Sequence, residues 1–158
     1  MIRHPILPVY DENSKVLILG SFPSVKSREE MFFYGHPKNR FWKVVAAVFD
    51  DVEPECVEEK RKLLLKHNIA VWDVIASCDI TGSSDSSIKN VVPNDLRIIL
   101  DNANIERIFV NGKTAEKYYN RYIKGQINRE AIYLPSTSPA NASWSIEALT
   151  ESWKALLY

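Results

Sequence analysis

The stretch VLILGSFPSVKSREEMFFYGHPKNR, residues 16–40, decides how this chain is read. It begins with Val16-Leu17-Ile18-Leu19, a short unbroken apolar run with the composition of a strand buried on both faces. The run breaks at Gly20-Ser21-Phe22-Pro23-Ser24, where glycine, proline and two serines predict a tight turn. A loop is expected beyond it, carrying Phe32, Phe33 and Tyr34, the Gly35-His36-Pro37 step and the polar cluster Lys38-Asn39-Arg40. Helical periodicity resumes only at Phe41-Trp42. Ligands of a parallel α/β sheet sit just beyond the carboxyl ends of its strands. The most unusual chemistry of the chain therefore falls where such a fold uses it.

Downstream, Phe41, Val44, Val45, Val48 and Phe49 share one face of a helix that ends at Asp50-Asp51. A second helix is expected from Cys56 to His67, with Val57, Leu63, Leu64 and Leu65 buried and acids in its first turn, where the helix dipole favours them. Ile69–Ile75 reads as a second strand, and Ser77–Ser87 has loop composition. A helix from Pro93 or Asn94 to Leu100 follows, then a third strand, Arg107–Asn111, closed by Gly112. Lys113–Ile123 reads as a tyrosine-rich helix and Ala131–Leu134 as a fourth strand, which runs directly into Pro135–Ala142. Ser143 or Ser145 caps a last helix, Ile146–Leu157. Upstream, His4–Tyr10, punctuated by Pro5 and Pro8, reads as an extended lead-in packed on the surface. Four short strands alternating with helices predict a three-layer α/β/α sandwich around a mostly parallel four-stranded sheet, in one domain over residues 1–158.

The 158 residues suffice for one sizeable core, and 46% hydrophobic with 25% charged residues is ordinary for a globular chain. Twenty basic and twenty acidic side chains cancel, so no global field marks a nucleic-acid partner. The local balance is uneven: residues 26–43 and 112–130 each hold five Lys/Arg against two acids, and residues 50–59 hold six acids and no base. One basic face and a scatter of solvated charges both fit that pattern. Cys56 and Cys78 do not make a disulfide framework, and neither they nor His4, His36 and His67 fall in a metal-ligand spacing, so no metal or cofactor is expected. The amino terminus lacks the apolar stretch of a signal peptide, and no run approaches the ~20 residues of a membrane span. An intracellular, cytoplasmic monomer is expected.

A strand, a Gly-x-x-Pro turn, an aromatic loop ending His36-Pro37-Lys38-Asn39-Arg40-Phe41-Trp42, and a last strand entering Leu134-Pro135-Ser136-Thr137-Ser138-Pro139-Ala140-Asn141 together resemble the uracil-DNA glycosylase superfamily. The HPKNRFW segment is similar to that of the mismatch-specific uracil/thymine glycosylases. Gly20–Ser24 stands in the place of the superfamily's first motif and Leu134–Asn141 in that of its second, so the resemblance spans nearly the whole chain. One position departs. The mismatch enzymes carry a water-orienting asparagine two residues after the first glycine, and here that residue is Phe22. The branch without it, whose turn is Gly-Ser-Phe-Pro-Ser-like, is the hypoxanthine-DNA glycosylase branch, which excises deoxyinosine and moves the catalytic asparagine to the position of Asn39.

The resemblance thus implies a monofunctional glycosylase acting on double- or single-stranded DNA that contains a deaminated base. Such an enzyme flips the nucleotide out of the stack and needs donors toward the departing base, an aromatic platform and grips on phosphate. Asn39 is the catalytic candidate, since an amide donates or orients but cannot act as a general base; a loop position or a helix cap before Phe41 is its plain structural alternative. Tyr34 aligns with the base-stacking aromatic and Phe22 makes a second wall, although either also suits an ordinary core. Gly20, Ser21, Pro23, His36 and Asn111 complete the expected contacts on this side; His36, between Gly and Pro, reads more as a structural contact than as an acid or base. Ser136, Thr137, Ser138 and Asn141 offer uncharged donors to phosphate from a proline-stiffened loop. Asp85 reads as a water-activating carboxylate or as a helix cap. Lys38, Arg40, Lys89 and Lys113 are candidate phosphate grips. A uracil or mispaired-thymine glycosylase competes with this reading, with Phe22 against it, and so does a non-catalytic damaged-base or nucleotide-binding module. An unrelated α/β hydrolase is disfavoured, since neither GxSxG nor GxxxxGK[ST] occurs.

Overall fold

In the computed structural model, which describes residues 1–158, the chain runs β1 (Ile2–Arg3), β2 (Val16–Gly20), α1 (Val25–Glu30), α2 (Phe41–Val48), α3 (Val57–Lys66), β3 (Ile69–Asp73) and β4 (Ile75–Asp79). It continues with β5 (Lys89–Pro93), α4 (Arg97–Leu100), β6 (Arg107–Asn111), α5 (Lys113–Tyr118), α6 (Lys124–Ile127), β7 (Ile132–Leu134) and α7 (Ile146–Trp153). A π-helical turn over Tyr119–Ile123 joins α5 to α6, and a 3₁₀ turn over Lys154–Leu157 extends α7.

The main sheet is wholly parallel, in the order β3-β2-β6-β7. Successive side chains of a strand point to opposite faces, yet all five residues of β2 and of β3 are buried. Both faces are therefore covered by helices, which is the expected three-layer α/β/α arrangement. Helix α2 packs on α7, with Phe41 edge-on to Trp153 at 5.8 Å, while α3 lies against β3 and α5 against β6. Ser145 is the cap of α7, its hydroxyl accepting from the Ala148 amide.

Four expectations need correction. The polar stretch after Ile75 is not all loop: β4 pairs with β1 and β5 in a second, antiparallel three-stranded sheet. Asp73 ends β3, and the chain changes sheet at Val74, whose amide donates to the Gly20 carbonyl. That hand-over was hidden because Ile69–Ile75 is one apolar run apart from Asp73. Second, residues expected in the central loop include a helical turn, α1, capped by the Ser24 hydroxyl. Third, the proline-punctuated lead-in is not superficial. Ile6 and Val9 are buried, and Val9 exchanges two backbone hydrogen bonds with Val71, covering the otherwise open edge of β3. Finally, the helix expected from residue 93 or 94 begins only at Arg97, because Pro93 still belongs to β5 and the buried Asn94 amide donates to the carbonyls of Asp73 and Ile75.

Candidate active site

Gly20, Asp73 and Asn111 end three adjacent parallel strands and face one cavity of about 560 Å³, within the range of small-molecule sites. The central and terminal loops both leave carboxyl ends of strands and meet there, although about a hundred residues apart in sequence. Of the expected residues, Gly20, Ser21, Phe22, Pro23, Tyr34, His36, Asn39, Asp85, Asn111, Lys113, Ser136, Thr137, Ser138 and Asn141 line the cavity; Lys38, Arg40 and Lys89 do not.

Asn39 is held by a relay. Asn111 Nδ2 donates to Thr137 Oγ1 at 3.1 Å, and that hydroxyl donates to Asn39 Oδ1 at 2.9 Å. The same Asn39 oxygen accepts the Phe41 amide at 2.9 Å. A backbone N–H can only donate, so turning the Asn39 amide over would set its NH₂ against the Phe41 N–H and lose that bond. Its oxygen is occupied, and its NH₂, which has no partner in the protein, is what remains for a ligand. Capping and chemistry are thus not alternatives here: the oxygen caps the entry to α2 and leaves the donors free. Thr137 was expected among the ligand contacts, yet it is fully buried with its hydroxyl engaged on both sides. It positions Asn39 and Asn111. Ser136 and Ser138 differ. Their oxygens accept the amides of Ser138 and Ala140, which leaves each O–H free to donate outward.

Tyr34 has φ of 52°, in the left-handed region that non-glycine residues rarely adopt. One face of its ring stacks on Phe41, with centroids 4.0 Å apart at 15°, so the opposite face is the one a planar ligand would use. Its hydroxyl is buried without a partner. Burial, together with the charge of Asp73, holds that phenol far above its ordinary pKa, against a smaller opposing effect of the Asn111 side chain. Phe22 is half-buried at the cavity wall, edge-on to the His4 ring at 5.9 Å.

Arg40 was expected to grip phosphate and does other work. Its guanidinium donates to the carbonyls of Trp144, Ser138 and Asn141, and its amide donates to the Thr137 carbonyl. A cation placed among outward-turned carbonyls of a loop is drawn inward, so Arg40 clamps the terminal loop to α2. Lys89 lies on β5 of the second sheet, away from the cavity; Lys38 is exposed beside it, and Lys113 is exposed on its rim. Gly112, at φ of 93°, lets the β6–α5 turn pass against the terminal loop, where a Cβ would lie 3.0 Å from that of Ser136. Asp85 sits at the rim in a 3₁₀ turn; desolvation by surrounding protein raises its carboxyl pKa, opposed by the Thr114 hydroxyl.

Two residues went unrecognised in the sequence. Asp73 ends β3 inside the cavity, and its Oδ2 is 2.7 Å from Nε2 of His4 in the lead-in. The rule that singled out Gly20 also covers Asp73, but the apolar residues after it disguised the strand's end. His4 carried no local signal at all.

Residues 7–157 of the chain match the model of the Uracil DNA glycosylase superfamily. The chain belongs to that superfamily. It is 35% identical to the Hypoxanthine DNA glycosylase of Methanosarcina acetivorans over 158 residues, 99% of this chain and 98% of the relative. Identity to the Hypoxanthine DNA glycosylase of Methanosarcina barkeri is 32% over 148 residues, 92% of each. A solution NMR structure of a Methanosarcina acetivorans protein assigned to the uracil DNA glycosylases superposes with a TM-score of 0.78 at 32% identity, over the full length of both chains. Phe22 lines the cavity from the turn after β2, and the amide that reaches it from the central loop is Asn39. No helix of the chain is long and apolar enough to cross a membrane.

Proposed function

We propose that the protein is a monofunctional DNA glycosylase that hydrolyses the N-glycosidic bond of a flipped hypoxanthine in DNA. The observation that carries this reading is the locked amide of Asn39, which offers donors and no acceptor to the cavity. As the bond breaks, the base gains negative charge that spreads toward O6, and a preorganised N–H is worth most where charge develops. The full-length similarity to two proteins named Hypoxanthine DNA glycosylase supports the choice of base. The free face of Tyr34 serves as the platform for the extruded base. Ser136 and Ser138 hydroxyls, with Lys113 on the rim, hold the backbone on either side. The enzyme acts as a monomer on chromosomal DNA inside the cell, on duplex or single strands.

The test is single-turnover excision from a duplex with one deoxyinosine, scored as alkali-labile sites. Asn39→Ala is expected to lower the rate by ~10²–10³, the loss typical of one preorganised donor. Asn39→Asp is expected to be equally poor, because a carboxylate opposes charge on the departing base. Binding of the same duplex should change little, since phosphate contacts carry most of it. A folded Asn39→Ala protein with wild-type excision removes this residue from the mechanism. Parallel duplexes with uracil, xanthine and mispaired thymine measure the competing reading as a uracil or mismatch enzyme, which the similarity to the structure assigned to the uracil DNA glycosylases favours. A protein that shifts every duplex and leaves no abasic site in any is a binding module.

A further inference from the structure

We infer that an exposed row of cations on α5 and the turn after it, Lys113, Lys117 and Arg121, is a track for the phosphates of the lesion-bearing strand, and that it takes one flank of that strand in single-stranded form. The inference rests on the glycosylase reading and adds to it the path by which the DNA leaves the site.

Two segments of the chain carry a basic excess, and the structure uses them differently. In residues 26–43, Lys26 pairs with Glu30, Arg28 donates to the Gly82 carbonyl, and Arg40 donates to carbonyls of the terminal loop. In residues 112–130, Lys124 pairs with Glu130, but Lys113, Lys117 and Arg121 are exposed and join no ion pair. They stand four residues apart, the spacing that places side chains on one helix face. A step of four overshoots an α-helical turn of 3.6 residues, and the wider π-helical turn over Tyr119–Ile123 takes that drift back. Lys117 Nζ lies 5.2 Å from the centroid of the Tyr118 ring, and the Arg121 guanidinium 5.2 Å from that of Tyr122. The two rings stack on each other at 6.1 Å and 15°. An aromatic face steadies a cation without neutralising it and leaves its N–H groups free to donate. Glu116 is the one acid between Lys113 and Ile127, and it is half-buried and pairs with none of the three.

The row has a direction. Lys113 lines the cavity at its rim. Strands β6 and β7 are parallel, so the helices between them must carry the chain back along the sheet, and α5 packs against β6 as it does so. The cations therefore begin at the mouth and descend the side of the protein. From Lys113 to Arg121 the row covers about 12 Å at 1.5 Å per residue, about the rise of three or four nucleotides. A straight duplex lying across the mouth passes Lys117 and Arg121 by, and its stiffness opposes a bend over so short a length. A single strand has no such stiffness. It can turn down from the flipped nucleotide and lay successive phosphates against the row, as strands do in other positively charged channels.

The experiment measures binding of single strands that carry a tetrahydrofuran abasic site, which the protein cannot excise. Flanks of about ten nucleotides are cut to about two on one side or the other, or one flank is made duplex with a short complement. In the wild-type protein one trim is expected to weaken binding about fivefold or more and its mirror image to do little. A complement annealed to the sensitive flank should act like the trim. Lys117→Gln/Arg121→Gln should lower the salt slope of binding by about 0.7 for each cation removed and respond equally to the two trims. Lys15→Gln, just before β2 at the opposite end of the sheet, loses the same charge as Lys117→Gln and should keep both slope and asymmetry. Equal effects of the two trims in the wild-type protein overturn the inference. So does a double variant that keeps the asymmetry, a sensitive flank that binds as well when duplex, or a Lys15→Gln protein that loses as much as Lys117→Gln. Wild-type protein that shows the asymmetry yet excises no base from the lesion panel refutes the glycosylase reading instead, so the two failures are distinct.

Discussion

Replacing Thr137 by valine keeps the shape of a fully buried side chain and removes the hydroxyl that links Asn111 to Asn39. Two hydrogen bonds disappear, each worth about 0.5–1.5 kcal/mol net. Neither partner is left wholly stranded. Asn39 Oδ1 keeps the Phe41 amide, and Asn111 Nδ2 lies at a cavity that water can enter. The loss of stability should therefore sit at about 1–2 kcal/mol, a fall in Tm of roughly 2–8 °C for a chain of this size. Excision should fall by about tenfold, because the Asn39 amide then pivots on one bond rather than two and its donors lose alignment. Thr137→Ser separates the two effects: it retains the hydroxyl and deletes a buried methyl, worth about 0.8 kcal/mol by transfer. Thermal unfolding and single-turnover excision on the same preparations give both quantities. The serine variant should be destabilised to a similar degree yet excise near the wild-type rate. Equal excision by the valine and serine variants would refute the relay as the device that aims Asn39, and leave Thr137 as packing alone.

Three other outcomes follow from the contacts. Arg40→Ala should destabilise the protein by about 2–3 kcal/mol, as expected for charged hydrogen bonds to carbonyls, and leave the salt dependence of DNA binding unaltered. Lys113→Ala should do the reverse, sparing stability and reducing the salt slope by about one, as titrations of binding against potassium chloride would show. The Tyr119 hydroxyl, buried and donating to the Arg129 carbonyl at 2.7 Å, has its pKa pushed up to about 12 by desolvation, against its ordinary value of 10. A phenol that ionises more easily unfolded than folded favours the unfolded chain once that ionisation begins. Its contribution is thus complete below pH 10 and is lost as the pH rises through about 12. Urea unfolding across that range should show a steeper alkaline decline in the wild-type protein than in Tyr119→Phe.

The sequence by itself determined the parallel sheet and the mouth of the site. Val16–Leu19 and Ile108–Val110 are apolar runs of the kind a sheet buried on both faces accommodates, and the Gly20–Ser24 turn and Pro135–Asn141 loop mark where such strands end. Strand ends of one parallel sheet point the same way, so two loops far apart in sequence were bound to meet. The same reasoning placed Asn39 and Tyr34 in the site, since their segment follows such an end. What sequence did not carry is the direction in which polar atoms point. Whether Asn39 offers oxygen or nitrogen depends on Thr137, about a hundred residues away, and whether Arg40 meets phosphate or carbonyls depends on how the terminal loop turns its backbone. Asp73 was concealed because the chain passes from one sheet into another without a break in apolar character, and His4 because its partner is 69 residues distant. Periodicity is a local property of a chain and survives reading in one dimension. Hydrogen-bond partnership is a property of pairs brought together by packing, and only the tertiary structure decides it.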